Sequence, residues 1–283
     1  MSRKPSRPAP ESLALPPGGV DTHAHLDGDR YPDPRAVIAR AQACGVSQVA
    51  NVFLGPAAYA AHRDQVAGPG VFFLLGIHPH EAGQVDSEAL RAMEQAFRSD
   101  PVLRAVGEIG LDYHYDFFPR AVQQEAFQRQ LELACRVDRP VVVHSREAED
   151  DTLRILERMG FAGRLVLWHC FGLGADWAAE ILSRGWILSL PGPVTFPKNH
   201  ALRAAVAGLP ADTFVLETDC PYLAPEPYRG GRNEPALLVF TAREVARLRG
   251  EAPEEVWRRC GATARRFFGI PEETGAQVGQ HVA

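Results

Sequence analysis

Short apolar runs rich in Val, Ile and Leu alternate along this chain with longer stretches of helical periodicity, and that alternation limits the possible folds most. The runs fall at residues 19–22, 47–53, 71–76, 102–107, 140–143, 164–168, 186–190 and 213–216. Amphipathic stretches at 34–44, 87–98, 119–137, 147–159, 175–184 and 200–207 separate them, with a helix-compatible segment near 57–66. Two more helical patterns, 235–249 and 253–268, follow the last run. Pro34 and Pro119 stand at helix starts, and Gly45, Gly160 and Gly185 just past helix ends, as helix punctuation favours. Runs that are apolar throughout suit strands covered on both faces. Eight strands alternating with helices over about 250 residues predict an α/β fold of the (β/α)8 TIM-barrel type. The rival is an open doubly wound sheet.

The 283 residues suffice for a sizeable core, and a hydrophobic fraction of 46% with 23% charged residues is that of an ordinary globular protein. No apolar stretch approaches the roughly 20 residues of a membrane span. Residues 1–18 are rich in Pro, Ser and Arg without an apolar core, which predicts a disordered tail rather than a secretory signal. Residues 19–270 are read as one barrel domain and 271–283 as a flexible tail. Five scattered cysteines without C-x-x-C spacing argue against a disulfide framework and for a reducing, cytoplasmic setting. Cys170 and Cys220 each follow a candidate ligand, and strand alternation is expected to turn both away from the ligand face. A net charge of −5 excludes a broadly basic surface, so any contact with nucleic acid has to be local.

Five of the eight runs lead into side chains that can ligate a metal: His23 with His25, then Glu108, His144, His169 and Asp219. Alternate side chains of a strand share a face, so His23 and His25 are aimed at one point. A lone His-x-His pair is weak evidence; its recurrence at strand ends is not. Barrel enzymes carry their chemistry at the C-terminal ends of the strands, where all six residues are expected. Strands one and eight are neighbours in a closed barrel, which an open sheet does not require. Four imidazoles and two carboxylates exceed the three protein ligands of a typical catalytic zinc. They suit two divalent ions sharing a carboxylate, a pair able to activate a water. Ligand softness favours Zn, Mn or Co over Mg.

Barrel hydrolases of this kind use a strand-four residue as the bridge, often a carbamylated lysine. This chain has no lysine between Lys4 and Lys198, which leaves Glu108. The motifs Asp21-Thr22-His23-Ala24-His25-Leu26-Asp27, Gly76-Ile77-His78-Pro79-His80, Gly107-Glu108-Ile109-Gly110-Leu111-Asp112-Tyr113 and Pro140-Val141-Val142-Val143-His144-Ser145-Arg146 continue with His169-Cys170-Phe171. They end in Glu217-Thr218-Asp219-Cys220-Pro221-Tyr222-Leu223-Ala224-Pro225 and Arg229-Gly230-Gly231-Arg232-Asn233-Glu234-Pro235. On these stretches the chain resembles the TatD family of metal-dependent deoxyribonucleases, within the amidohydrolase superfamily. The resemblance implies one metal on His23, His25 and Asp219 and a second on His144 and His169, with Glu108 bridging and Asp219 taking the proton of the attacking water. Two departures fall on loops expected to meet substrate. Gly172-Leu173-Gly174 replaces the family's Ser-Gly, and Gly231 stands where a lysine is common.

His78 and His80 either touch substrate or orient a ligand, unless they form a structural His-Pro turn. Arg146 suits a phosphate oxygen, because its planar fork binds bidentately; an ion pair with Glu147 or Glu149 is the alternative. Arg229 and Arg232 are candidates for phosphate contacts from a Gly-rich loop. Asp112 and Glu217 either orient ligands or substrate or pair with a buried arginine. Tyr113, Tyr115, Phe117 and Phe118 read as an aromatic cover on the barrel mouth, with base stacking as the functional alternative. The expected activity is hydrolysis of phosphodiester bonds at single-stranded DNA ends, 3′→5′, the direction resting on the resemblance. Hydrolysis of an ester or amide, as in an aminoacyl-tRNA deacylase, is the rival within enzymes, and a metal-dependent scaffold the rival outside them. No membrane and no stable protein partner are inferred.

Overall fold

In the computed structural model, which describes residues 7–271, eight parallel strands are hydrogen-bonded in sequence order. They are β1 (Gly19–Ala24), β2 (Val46–Leu54), β3 (Val71–Gly76), β4 (Leu103–Asp112), β5 (Val141–Arg146), β6 (Val166–Trp168), β7 (Ile187–Leu190) and β8 (Phe214–Leu216). Between them run α1 (Pro34–Ala43), α2 (Pro56–Val66), α3 (Ser87–Ser99), α4 (Arg120–Val137), α5 (Glu149–Arg158), α6 (Ala175–Leu182) and α7 (His200–Gly208). Helices α8 (Leu238–Arg249) and α9 (Pro253–Phe268) follow. The segment after β8 returns to β1 through a parallel bridge between Ala24 and Cys220. The Asp219 amide donates to His23 O at 2.9 Å and the His25 amide to Cys220 O at 2.8 Å. The sheet therefore closes into a TIM barrel, and the open sheet is excluded. No helix among the described residues is long and apolar enough to cross a membrane.

Side chains that point inward from the strands, among them Val20, Val52, Phe72, Leu74, Val142 and Val215, fill the barrel axis together with Phe267 and Phe268 of α9. Helix α9 packs on the strand starts: a Cβ at Gly19 would come within 1.9 Å of the Trp257 ring, and the Phe268 ring lies 4.9 Å from Phe72. A larger apolar layer, including Phe53, Phe73, Phe127, Trp168 and Trp186, lies between strands and helices. The closed end is thus sealed, and the opposite end is left to carry polar groups.

Three expectations need correction. Strand β4 runs on to Asp112 because Ile109 and Leu111 are fully buried and pair with Val143 and Ser145 of β5. Glu108 therefore lies inside a strand rather than at its end. The helical pattern at 235–249 splits into a 3-10 turn, Pro235–Leu237, and α8. Residues 7–18 are not a loose tail. Leu15 is buried and its amide donates to Cys44 O at 3.1 Å, Trp257 Nε1 donates to Pro16 O at 2.9 Å and Arg265 to Gly18 O at 2.9 Å. Polar composition hid a strap whose carbonyls satisfy donors of the closing helix. Residues 1–6 and 272–283 of the expected tails lie outside the described residues.

Candidate metal centre

Glu108 is the hub. Its carboxylate is almost fully buried, and its two oxygens face different imidazoles. Oε2 lies 3.4 Å from His23 Nε2 and 4.0 Å from His25 Nε2. Oε1 lies 2.7 Å from His144 Nδ1, 3.5 Å from His169 Nε2 and 3.6 Å from His78 Nε2. Asp219 closes the first group, its Oδ1 3.6 Å from His25 Nε2. All six predicted ligands thus meet at one place. Gly110 helps bring β4 and β5 together there: its φ is +147°, and a Cβ would fall 1.9 Å from His144 O.

The donors fit a divalent cation on three counts. Neither ring nitrogen of His23 has a hydrogen-bond partner although the residue is fully buried, an orphan that costs free energy unless something binds it. His23, His25 and Asp219 offer donor atoms within 4.8 Å of one another, as do His23, Glu108 and His169, and His78, Glu108 and His144. The third count is that the candidate ligands are oriented from behind. His169 Nδ1 is held by Glu217 at 2.8 Å, His144 Nε2 by Asp112 at 3.1 Å, and His25 Nδ1 by Val52 O at 3.3 Å. Metal-binding histidines are characteristically fixed this way by their far nitrogen. Glu217 and Asp112 therefore pair with histidines, not with a buried arginine.

Protonation follows from this crowding. Burial disfavours the charged ring of His23 and lowers its pKa; burial likewise pushes His78 down to about 3. On His144 and His169 burial acts in the same direction, but carboxylates outweigh it: Asp112 and Glu108 raise His144 to about 9, and Glu217 and Glu108 raise His169 to about 10. Burial opposes ionisation of Glu108 and Asp219, yet the surrounding imidazoles hold both carboxyls below the usual range. Cation binding here displaces protons and so weakens as pH falls.

Asp21 and Thr218 are contributors the motif reading passed over. Asp21 accepts from the Thr218 amide at 2.9 Å and its hydroxyl at 2.6 Å, clipping β1 to the segment that carries Asp219. Burial pushes the Asp21 carboxyl up to about 7. The only available signal was position, two residues before His23 and one before Asp219.

The other candidates divide. A cleft of about 850 Å³ above Glu108 and Asp219 is lined by His78, His80 and Arg146 among others. Arg146 makes no ion pair with Glu147 or Glu149 and lies over the Tyr115 ring at 4.8 Å. Arg229 and Arg232 do not line the cleft. Arg229 packs over Phe196 at 4.1 Å, and Arg232 donates to Arg30 O at 2.8 Å and covers Tyr31. Both guanidiniums thus lie against rings of neighbouring loops rather than in the cleft. Cys170 also departs from expectation. Its φ of +50° breaks the strand alternation, so it joins the cleft lining and lies with His169 and Asp219. The aromatic cover is half a cover: Tyr113 is buried and Phe118 packs on the core, whereas Tyr115 and Phe117 stand exposed.

A family model described as TatD related DNase matches residues 20–269. The chain belongs to this family. TatD-family relatives agree over nearly their whole length. The uncharacterized metal-dependent hydrolase YabD of Bacillus subtilis is 35% identical, covering 88% of this chain and 98% of its own. A protein named 3'-5' ssDNA/RNA exonuclease TatD, from Cronobacter sakazakii, is 33% identical, covering 87% and 94%. The crystal structure of YJJV, a TatD homolog from Escherichia coli, superposes with a TM-score of 0.83 at 28% identity, covering 89% of this chain and 98% of that one. Membership makes the chain a metal-dependent hydrolase, and the residues assembled around Glu108 are where a metal fits.

Proposed function

We propose that this TatD-family hydrolase cleaves phosphodiester bonds at the 3′ ends of single-stranded DNA, with two divalent ions held by the Glu108 cluster. His23, His25 and Asp219 would hold one ion, His144 and His169 the other, and Glu108 would lie between them. Bound there, the ions would supply Lewis-acid charge against an anionic diester and make water a stronger acid. The protein's own part is positional and protolytic. Asp219, kept ionised by its imidazole neighbours, accepts the proton of the attacking water, and Arg146 steadies a non-bridging phosphate oxygen. Glu217 and Asp112 keep His169 and His144 aimed.

Arg146 is the observation that carries the phosphodiester assignment. It is the one Lys or Arg side chain lining the cleft among the described residues, and it makes no salt bridge with any carboxylate of those residues. A neutral ester needs no such cation. The Cronobacter relative, named as a 3'-5' exonuclease of single-stranded DNA and RNA, supports the same substrate class and direction. An acidic chain with a local cation suits gripping a strand end rather than coating a duplex, and five free cysteines suit a reducing, cytoplasmic setting.

The test is hydrolysis of 5′-labelled single-stranded DNA by purified protein loaded with Mg, Mn, Co or Zn. A ladder that shortens progressively is expected. No degradation with any of these metals, together with turnover of ester or aminoacyl substrates, overturns the reading.

A further inference from the structure

Resting on the nuclease reading, we propose that Tyr115 and Phe117 form a stacking platform for a nucleobase, with Arg146 placed for the phosphate beside it. The two rings are 50% and 62% exposed and adjoin one another, and a contiguous exposed apolar patch marks a binding surface where a single exposed residue does not. They lie parallel, with an interplanar angle of 5° and centroids 5.7 Å apart, and both line the cleft above Glu108 and Asp219.

The platform is fixed to the catalytic machinery. The Tyr115 amide donates to Asp112 Oδ1 at 3.0 Å. His80 meets Tyr115 and Phe117 edge-on, at 5.3 and 4.8 Å, and is itself held by Asp112 Oδ2 at 2.9 Å. Asp112 is the same carboxylate that orients His144, so a base stacked here sits in a set register to the hydrolytic centre. Arg146 covers the Tyr115 ring, joining a cation to the aromatic surface. The opposite rim repeats the pairing, as Tyr222 is 50% exposed and carries the Arg30 guanidinium 4.9 Å from its ring centre. Strands β4 and β8, which precede these rims, are diametrically opposed in a barrel closed in sequence order. A strand crossing the mouth meets an exposed ring on either side and, beside Tyr115, the Arg146 guanidinium, a surface that recognises unpaired bases without reading their identity.

Steady-state hydrolysis by metal-loaded protein tests this on two oligomers of equal length, oligothymidylate and one with tetrahydrofuran in place of every nucleoside. Wild type is expected to show a lower KM for the base-bearing oligomer. That preference should shrink on the order of 10–100-fold in Tyr115→Ala/Phe117→Ala, the scale of losing base stacking, and persist in Tyr115→Phe and Phe117→Tyr. Structural damage alone raises KM on both oligomers alike and leaves the preference intact. A preference that survives the double substitution, or its absence from wild type, overturns the platform while the nuclease stands. Hydrolysis of neither oligomer with any metal overturns the nuclease reading and the platform with it.

Discussion

Glu217 holds His169 by a 2.8 Å hydrogen bond to Nδ1, leaving Nε2 facing Glu108. Both residues are buried, and the Glu217 carboxylate also accepts the Cys170 amide at 2.9 Å. The ring is therefore set before any cation arrives. Replacing Glu217 with Gln keeps the shape but loses the charge that favours this tautomer. Metal affinity should fall roughly 10–100-fold, read by competition with a chelating dye. An unchanged dissociation constant contradicts the orienting role.

Asp219→Asn separates proton transfer from metal retention. His23, His25 and Glu108 remain around the first position, while the base is gone. Turnover should fall on the order of 10²–10⁴-fold, with a proportionally smaller loss of bound metal by elemental analysis. Turnover near wild type removes Asp219 from the base role.

The arginines should behave unequally. Arg146→Ala should lower kcat/KM on single-stranded DNA by the equivalent of about 1.5–3 kcal/mol, the scale of a hydrogen bond to a charged group, and Arg146→Lys should recover part of it. Arg229→Ala and Arg232→Ala act on loop packing over Phe196 and Tyr31 and should retain DNA turnover. Equal losses at all three would return the Gly-rich loop to the substrate.

Far from the cleft, Asp100 predicts acid behaviour. Burial opposes its ionisation, but Arg63 at 2.9 Å, the Val102 amide at 2.9 Å and Tyr59 at 2.8 Å lower its pKa. A depressed carboxyl stabilises the fold fully above its unfolded value, near pH 4, and less as pH falls through the folded value. Asp100→Asn should therefore lower Tm at neutral pH, and the gap to wild type should narrow below about pH 4. A gap that stays constant into acid contradicts the assignment.

Much of this was legible in the sequence because burial on both faces leaves uninterrupted apolar runs, and His-x-His spacing survives in any extended strand. The runs show where burial is complete, not where pairing stops, so the apolar run ends at Gly107 while β4 continues to Asp112. Cys170 faces the cleft against the strand alternation because that alternation ends where its backbone turns left-handed. Composition concealed the ordering of residues 7–18, since Leu13, Pro16 and Gly18 act through carbonyls rather than side chains. Arg229 and Arg232 are candidates by loop position and by the family resemblance, and only the folded chain shows their guanidiniums lying over Phe196 and Tyr31. Which of four aromatics after β4 face solvent likewise depends on tertiary contacts.

Glu108 carries the central claim, because its two oxygens divide the imidazoles into two groups. Elemental analysis of metal per chain, on wild type and Glu108→Ala purified and loaded identically, tests it most directly. The account predicts two ions per chain in wild type and one or fewer in the variant. Two ions per chain in Glu108→Ala would contradict it.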